Sequence, residues 1–259
     1  MSWIEEADEI RRRREMALAH GGNDAVNRQH EKGRLTIRER IELLVDKGSF
    51  EEVGPAAGSG LRDENGELVG FDPANFILGF GKINDQRIVV GGEDFTVRGG
   101  SPSPAGLRKS VYTEELALQY RLPLVRLHEG AGGSIGGTGG KGENLPGPVF
   151  ATPRFKSVAE CMATVPVATA ALGAVAGLPA ARLVASHFSV MSKATAQIMT
   201  AGPAVVERAM GEKITKDELG GWKVHTKNVT VDNAGEDEAD SLAQIRRFLS
   251  YQPPNVNTL

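Results

Sequence analysis

The sequence predicts an α/β fold with a sheet that is at least partly parallel. Two apolar, strand-like runs, residues 122–128 and 165–172, each follow a segment with helical periodicity. Strands that are joined through helices in this way favour parallel pairing. Each run is also followed by a glycine-rich stretch, EGAGGSIGGTGGK at 129–141 and GAVAGLPAAR at 173–182. We therefore expect a site where these two strands end.

The N-terminal part of the chain predicts helices and then a long connection. Helical patterns cover residues 2–20 and 36–46. Thr36 and Glu39 have the spacing of a capping box, in which side chain and backbone cap each other reciprocally. Residues 54–73 are rich in Gly, Asp, Asn and Pro and indicate a surface connection.

The remaining elements follow the same reasoning. Apolar runs on both sides of residues 84–85 indicate a hairpin. Thr215 and Glu218 repeat the capping-box spacing. Other helices are expected at 104–119, 155–162, 179–184, 203–210 and 237–249, and a further strand at 187–191. The chain then runs into YQPPNVNTL, a proline-stiffened stretch typical of a linker.

Composition excludes several classes of function. The formal net charge of −3 and the pI near 6.0 argue against a general nucleic-acid or membrane-surface binder. A single cysteine, Cys161, excludes an internal disulfide framework and a zinc site made only of thiolates. The histidines lack ligand-like spacing, so we expect no metal. With no apolar run long enough for a membrane span, a reducing, cytoplasmic location is expected.

The first glycine stretch does not fit a phosphate-binding loop. Gly140-Lys141 is followed by Gly142 rather than Ser or Thr, and the GxGxxG string at 137–142 runs into ENLPGP, which cannot open a helix. Two backbone N–H groups after a strand can instead hold the oxyanion of a thioester enolate. Gly132 and Gly133 are the best candidates for this pair. The alternative is a flexible hinge without a catalytic role.

The second glycine stretch is a weaker candidate by itself. Gly177 and Leu178 precede or open a helix whose first turn suits Pro179, and N–H groups at a helix start attract anions. Tight packing of helix on strand is the alternative explanation. His128 and Glu129, beside the first stretch, are possible acid/base groups, although a lone histidine there is more often structural.

Three long segments together resemble a known enzyme family. They are RQHEKGRLTIRERIELLVDKGSFEEVG at 28–54, GEDFTVRGGS at 92–101 and AGPAVVERAMGEKITKDELGGWKVHT at 201–226. They resemble the N-terminal half of carboxyltransferase (β) subunits of biotin-dependent acyl-CoA carboxylases, of the propionyl-CoA and methylcrotonyl-CoA type. The similarity extends over nearly the whole chain.

The resemblance implies a crotonase-type superhelix of ββα units and an acyl-CoA substrate. It implies that carboxybiotin, on a biotin carboxyl carrier served by biotin carboxylase, supplies the carboxyl group. The freed biotin ureido group, rather than a side chain of this protein, would take the α-proton. The family also implies a homo-oligomer and a C-terminal half that binds biotin. That half is absent here, so we expect this chain alone to bind a CoA thioester weakly and to carry out no biotin-dependent carboxylation.

Two departures from the family affect the expected site. The first stretch reads Gly-Ala-Gly-Gly-Ser-Ile where the family has Ser-Gly-Gly-Ala, so the donor pair is Gly132/Gly133 or Ala131/Gly132, with the former favoured. The expected substrate contacts are Ala131, Ser134, Ile135, Gly177 and Leu178. Leu178-Pro179 replaces the family's Gly-Ala. Leu178 narrows that site and Pro179 removes a potential N–H donor, so the acyl pocket and the substrate preference are expected to differ from the family's.

The expected division of the chain is a helical segment at 1–53, a crotonase-like acyl-CoA-binding domain at 54–250 and a linker at 251–259. Two other functions stay open at this point. One is a stand-alone crotonase-like decarboxylase, hydratase or hydrolase of CoA thioesters that uses His128 or Glu129. The other is a non-catalytic assembly subunit. The acyl group itself is not predicted.

Overall fold

The structure of the protein is a computed structural model that describes residues 3–132 and 155–253. The helices are α1 (Ile4–Leu18), α2 (Asn23–His30), α3 (Ile37–Leu44), α4 (Pro104–Tyr120), α5 (Lys156–Met162), α6 (Leu178–Val184), α7 (Pro203–Met210), α8 (Lys216–Gly220), α9 (Trp222–His225) and α10 (Glu238–Ser250). The strands are β1 (Glu51–Glu52), β2 (Gly58–Arg62), β3 (Leu68–Pro73), β4 (Phe76–Ile83), β5 (Gln86–Glu93), β6 (Leu124–Gly130), β7 (Val167–Ala176), β8 (Phe188–Ser192), β9 (Gln197–Met199) and β10 (Asn233–Gly235).

The main sheet has the strand order β1-β4-β5-β6-β7-β8-β10, and β9 also pairs with β7. β1, β4 and β5 pair in antiparallel fashion, whereas β5 through β8 and β10 are parallel. The predicted partly parallel sheet is therefore confirmed. The hairpin at Asn84-Asp85 is confirmed too, since both residues adopt the positive φ angles of a tight two-residue turn.

The two faces of the sheet carry separate cores. On one face, Val125 and Leu127 of β6 pack in a cluster with α3 and α10. On the other face, Leu124 of the same strand packs in a cluster with α4 and α5. Successive side chains of a strand point to opposite faces, so one buried strand serves both cores. β6 is buried along its whole length and forms the centre of the molecule.

The capping box at the start of α3 is present as predicted. Thr36 Oγ1 accepts the N–H of Glu39, and the Glu39 carboxylate accepts the N–H of Thr36 at 2.7 Å. α3 packs on the same core as the sheet, although it precedes the expected boundary after residue 53. That boundary stays a prediction.

The surface connection predicted at residues 54–73 is wrong in part. β2 and β3 form a separate antiparallel hairpin there, and α1 packs against β3. β2 is exposed along its whole length, so it lacks the apolar alternation that would have revealed a strand. Within the described residues, no helix is long and apolar enough to cross a bilayer.

Candidate active site

The first glycine stretch begins where β6 ends. Ala131 donates its N–H to the carbonyl of Gly99 at 2.9 Å, so the segment that contains Arg98–Gly100 is docked against this strand end. This contact removes the Ala131 N–H from the possible oxyanion donors. Gly132 follows in a left-handed conformation, with φ of +70°. The predicted Gly133, Ser134 and Ile135 lie outside the described residues.

The second glycine stretch begins where β7 ends. Gly177 has φ of +64° and caps α6, and Pro179 lies in the first turn of that helix as predicted. The N–H of Gly177 donates to Met199 of β9 at 3.2 Å, so it is engaged within the fold. Leu178 is the first residue of α6, where a backbone N–H has no acceptor within the helix.

The two stretches touch each other through their backbones. A Cβ atom on Gly132 would lie 2.7 Å from the carbonyl oxygen of Ala176 and 3.4 Å from the Cα of Gly177. Any side chain at position 132 would therefore separate the two strand ends. The sequence predicted a glycine stretch after each of two consecutive strands, and the structure brings Gly132 of the first next to Gly177 of the second. Gly132, Ala176 and Gly177 together form what we call the glycine junction.

Glu129, three residues before Gly132, is fully buried. Its carboxylate lies 3.0 Å from Arg34 Nη1 and 2.6 Å from Arg40 Nη1, and it also accepts from Gln29 Nε2 at 2.5 Å. Both oxygens are thus occupied. These contacts argue against Glu129 as an acid/base group, because its lone pairs are engaged by Arg34, Arg40 and Gln29 within the fold.

Arg40 connects the Glu129 network to α10 and β7. Its guanidinium forms a two-bond pair with Glu238 of α10, at 2.8 and 2.7 Å, and donates to the carbonyl of Leu172 in β7 at 3.1 Å. Burial lowers the pKa of Arg40, but the Glu238 hydrogen bonds and the Glu129 charge outweigh burial and raise that pKa above its ordinary value. Arg40 is a permanent cation at the centre of the fold.

His128 faces the opposite side of the sheet, towards α4 and α6. Its Nδ1 lies 3.1 Å from a carboxylate oxygen of Glu93, the last residue of β5. Burial raises the pKa of Glu93, but the charges of His128 and Arg182 more than compensate and hold that pKa below its usual range. His128 Nε2 has no hydrogen-bond partner within residues 3–132 and 155–253. The histidine is nevertheless almost completely buried.

A second set of buried charges lies next to this pair. Glu114 of α4 contacts Arg126 Nη2 at 3.0 Å and Arg182 Nε at 3.2 Å. Arg182 also donates to the hydroxyl of Ser110 at 2.7 Å. Sequence reasoning missed Glu93 and Arg182 as site residues. Both lie in segments that the sequence analysis quotes, Glu93 in GEDFTVRGGS at 92–101 and Arg182 at the end of GAVAGLPAAR at 173–182, but no local pattern indicates that the two meet.

Comparison with known proteins assigns the chain to a family. Residues 28–258 match the family described as "Carboxyl transferase domain". The chain belongs to the carboxyl transferase domain family. This assignment confirms the resemblance of the three sequence segments.

Several relatives of this carboxyl transferase domain are similar along almost its full length. It is 33% identical to the biotin-dependent acetyl-/propionyl-coenzyme A carboxylase beta5 subunit of Mycobacterium tuberculosis, over 96% of this chain and 45% of that subunit. It is 32% identical to the mitochondrial propionyl-CoA carboxylase beta chain of Homo sapiens, over 95% of this chain and 45% of that one. The chain therefore spans about half the length of the curated relatives it matches.

Solved carboxyltransferases share its fold. A transcarboxylase 12S structure, described as a hexamer assembly, superposes with a TM-score of 0.77 at 26% identity, over 99% of this chain and 49% of the other. The β subunit of geranyl-CoA carboxylase from P. aeruginosa gives a TM-score of 0.71 at 25% identity, over 94% of this chain and 47% of that subunit. The predicted crotonase-type α/β fold is confirmed.

Proposed function

We propose that this carboxyl transferase domain is the acyl-CoA-binding half of a biotin-dependent acyl-CoA carboxyltransferase. The observation that carries the proposal is the direct backbone contact of Gly132 with Ala176 and Gly177, at the carboxyl ends of two parallel strands. The substrate class follows from the relatives, whose names specify acetyl- and propionyl-CoA, and from a neighbour described with methylmalonyl-CoA bound.

The glycine junction would hold the thioester while negative charge moves onto its oxygen. Backbone N–H groups of Gly132 and Gly133 are the proposed donors, and Leu178 at the start of α6 is a further candidate. Fixed donors of this kind lower the barrier because they are already oriented towards the developing charge, and one donor contributes about 3 kcal/mol. Loss of the α-proton and attack of the resulting enolate on the transferred carboxyl carbon would complete the reaction.

The described residues of this chain favour an α-proton acceptor that belongs to another molecule. Within the described residues beside the junction, Glu129 is bonded to Arg34, Arg40 and Gln29, and His128 is buried against Glu93. When bound, carboxybiotin on a carrier supplies the carboxyl group and a basic ureido nitrogen. The proposed partners are a biotin carboxylase, its biotin carboxyl carrier and a carboxyltransferase C-terminal half that holds biotin. We place this assembly, as an oligomer, in the cytoplasm.

The test compares two glycine-to-alanine variants with matched backbone conformations. Gly132 and Gly211 have φ angles of +70° and +74°, but a Cβ on Gly211 would meet no atom within 4 Å. Both variants therefore carry similar backbone strain, and only Gly132→Ala pushes the two strand ends apart. We expect Gly132→Ala to weaken propionyl-CoA binding, measured by calorimetry, by at least about 10-fold, and Gly211→Ala to leave it unchanged.

The same experiment separates the alternatives. Equal affinities in both variants would contradict a role for the junction and favour a non-catalytic assembly subunit. Carboxylation of propionyl-CoA should need the carrier, biotin carboxylase and an added C-terminal half. Turnover of malonyl- or enoyl-CoA by this chain alone, lost in His128→Ala, would instead favour a stand-alone enzyme. The observation that favours that role is His128 Nε2, which has no hydrogen-bond partner among the residues that the structure describes.

A further inference from the structure

A pocket of about 360 Å³ lies at the end of the sheet where β7 and β8 begin. It is bounded by the end of α5, the segment that leads into β7, the residue before β8 and the end of α10. Pockets that bind small molecules usually enclose about 300–1,000 Å³ and are lined by apolar side chains with a few polar groups. This pocket meets both conditions, since Met162, Pro166 and Phe248 line it together with Thr164, His187 and Gln252.

The pocket is remote from the glycine junction. The junction lies at Ala176 and Gly177, where β7 ends, whereas Pro166 of the pocket directly precedes the start of β7. A ten-residue strand with a rise of about 3.3 Å per residue places the two roughly 30 Å apart. The pocket is therefore separate from the place where a thioester carbonyl would react.

Two side chains of the pocket suit an aromatic ligand. The Phe248 ring stacks on Phe188, with centroids 5.0 Å apart and an angle of 12° between the planes, and both rings pack against the core on that face. Phe248 is only half-buried, so its fixed ring can stack with a second planar group. Met162 contributes a flexible, polarizable thioether, which makes favourable contacts with aromatic rings.

His187 offers a fixed hydrogen-bond donor to the same pocket. The N–H of Val167 donates to His187 Nδ1 at 3.1 Å, and the N–H of His187 donates to the carbonyl of Val167 at 2.9 Å. These two bonds hold the imidazole in one orientation. Because Nδ1 accepts a hydrogen bond, the hydrogen of the neutral ring lies on Nε2. A ligand with an acceptor nitrogen or carbonyl oxygen matches this donor.

The lining disfavours charged ligands. Among the described residues that line the pocket, none is Asp, Glu, Lys or Arg. A phosphate or carboxylate placed there would lose water without gaining a counter-charge. Thr164 and Gln252 instead add neutral groups that both donate and accept. A nucleobase has the flat ring, the acceptor atoms and the neutrality that these residues match, and the volume leaves space for an attached sugar.

We propose that this pocket binds an uncharged nucleoside, whose base contacts Phe248 and Met162 and accepts a hydrogen bond from His187 Nε2. The inference is independent of the proposed carboxyltransferase function, since the pocket lies at the other end of β7 from the glycine junction. It assigns His187 and Phe248 to a second binding site on this face of the sheet.

The first experiment titrates the unaltered chain with adenosine, inosine and cytidine and follows binding by ligand-observed NMR. We expect saturable binding of at least one nucleoside with a dissociation constant below about 1 mM, and no tighter binding of its 5′-monophosphate. Ribose is the control and should not bind. Failure of all three nucleosides to bind, or tighter binding of the monophosphate, would overturn the proposal.

The second experiment locates the bound nucleoside. His187→Asn keeps an acceptor for the N–H of Val167 but removes the Nε2 donor, so the affinity should fall about 5-fold or more. The matched control is His30→Asn, the same substitution on an exposed histidine of α2, which should bind as the wild type does. Equal affinities of the two variants, with native circular dichroism in both, would contradict the assignment.

Competition with propionyl-CoA distinguishes this site from the glycine junction. Saturating propionyl-CoA should leave nucleoside binding to the unaltered chain unchanged, because the two sites are separate. Displacement of the nucleoside would place it in the thioester site and overturn the inference, even if His187→Asn does not fold. Failure of propionyl-CoA itself to bind would count against the proposed function alone, and the nucleoside series with the histidine variants would still test this pocket.

Discussion

Glu129 illustrates how one residue constrains its neighbours. Its buried carboxylate needs Arg34 and Arg40 for charge balance, and it also needs space in the adjacent strand. Gly173 of β7 provides that space, because a Cβ there would overlap the carboxyl group of Glu129 and lie 2.6 Å from its Cγ. A glycine in a strand interior often marks such a close approach. The charge network around Glu129 therefore requires the absence of a side chain at Gly173.

At this scale we predict that Gly173→Ala strongly destabilises the protein. The added methyl group must displace Glu129 from its arginine partners, and we expect the free energy of unfolding in urea to fall by about 3 kcal/mol. Gly70→Ala is the control, since Gly70 is also in a strand, but its nearest contact would be the flexible end of Leu61 at 3.3 Å. That variant should stay within about 0.5 kcal/mol of wild type. Similar losses in both would refute this role of Gly173.

At the scale of elements, the sequence predicted the helices, strands and turns that depend on residues close together in the chain. The helices with caps, the hairpin turn and the alternation of strands with helices all follow from neighbours a few residues apart. The β2–β3 hairpin was not predicted, because its exposed strand β2 has no apolar alternation. The candidate site was predictable only in its glycines. Pairs such as Arg34 with Glu129, 95 residues apart, depend on which strands become neighbours, and no local pattern records that choice.

The two capping boxes provide a prediction at the same scale. Thr36 caps α3, which packs in the core, whereas Thr215 caps the short α8 from an exposed position. Thr36→Ala should lower the free energy of global unfolding by about 1 kcal/mol, as loss of a cap usually does. Thr215→Ala should leave global unfolding nearly unchanged and speed only the exchange of nearby amide hydrogens. Urea titration with hydrogen exchange distinguishes the two. Equal effects on global unfolding would contradict the difference in packing.

At the scale of the whole molecule, the core under α3 and α10 and the core under α4 and α5, on opposite faces of one sheet, should unfold together because β6 belongs to both. Cys161 reports on this cooperativity. Cys161 belongs to α5 and lies in the core that α4 and α5 form on the sheet, and burial raises the pKa of its thiol to about 12. A protonated, buried thiol does not react with disulfide reagents.

We therefore expect labelling of Cys161 by such a reagent to be negligible in buffer. Its rate should rise with urea in parallel with global unfolding measured by circular dichroism, because only the open chain exposes the thiol. Free cysteine at the same pH serves as the control for reagent activity. Rapid labelling in buffer, with native circular dichroism retained, would mean that α5 opens separately from the rest of the fold.

The pairing of Arg40 with Glu238 also affects how the protein matures during synthesis. The ribosome synthesises Arg40 198 residues before its partner Glu238, so the arginine leaves the exit tunnel long before α10 exists. Throughout that interval the sheet face that α10 covers stays open to solvent, and the arginine lacks its second counter-ion. Nascent chains halted before residue 238 should therefore engage chaperones that bind apolar surface, and release should follow once the last helix leaves the exit tunnel.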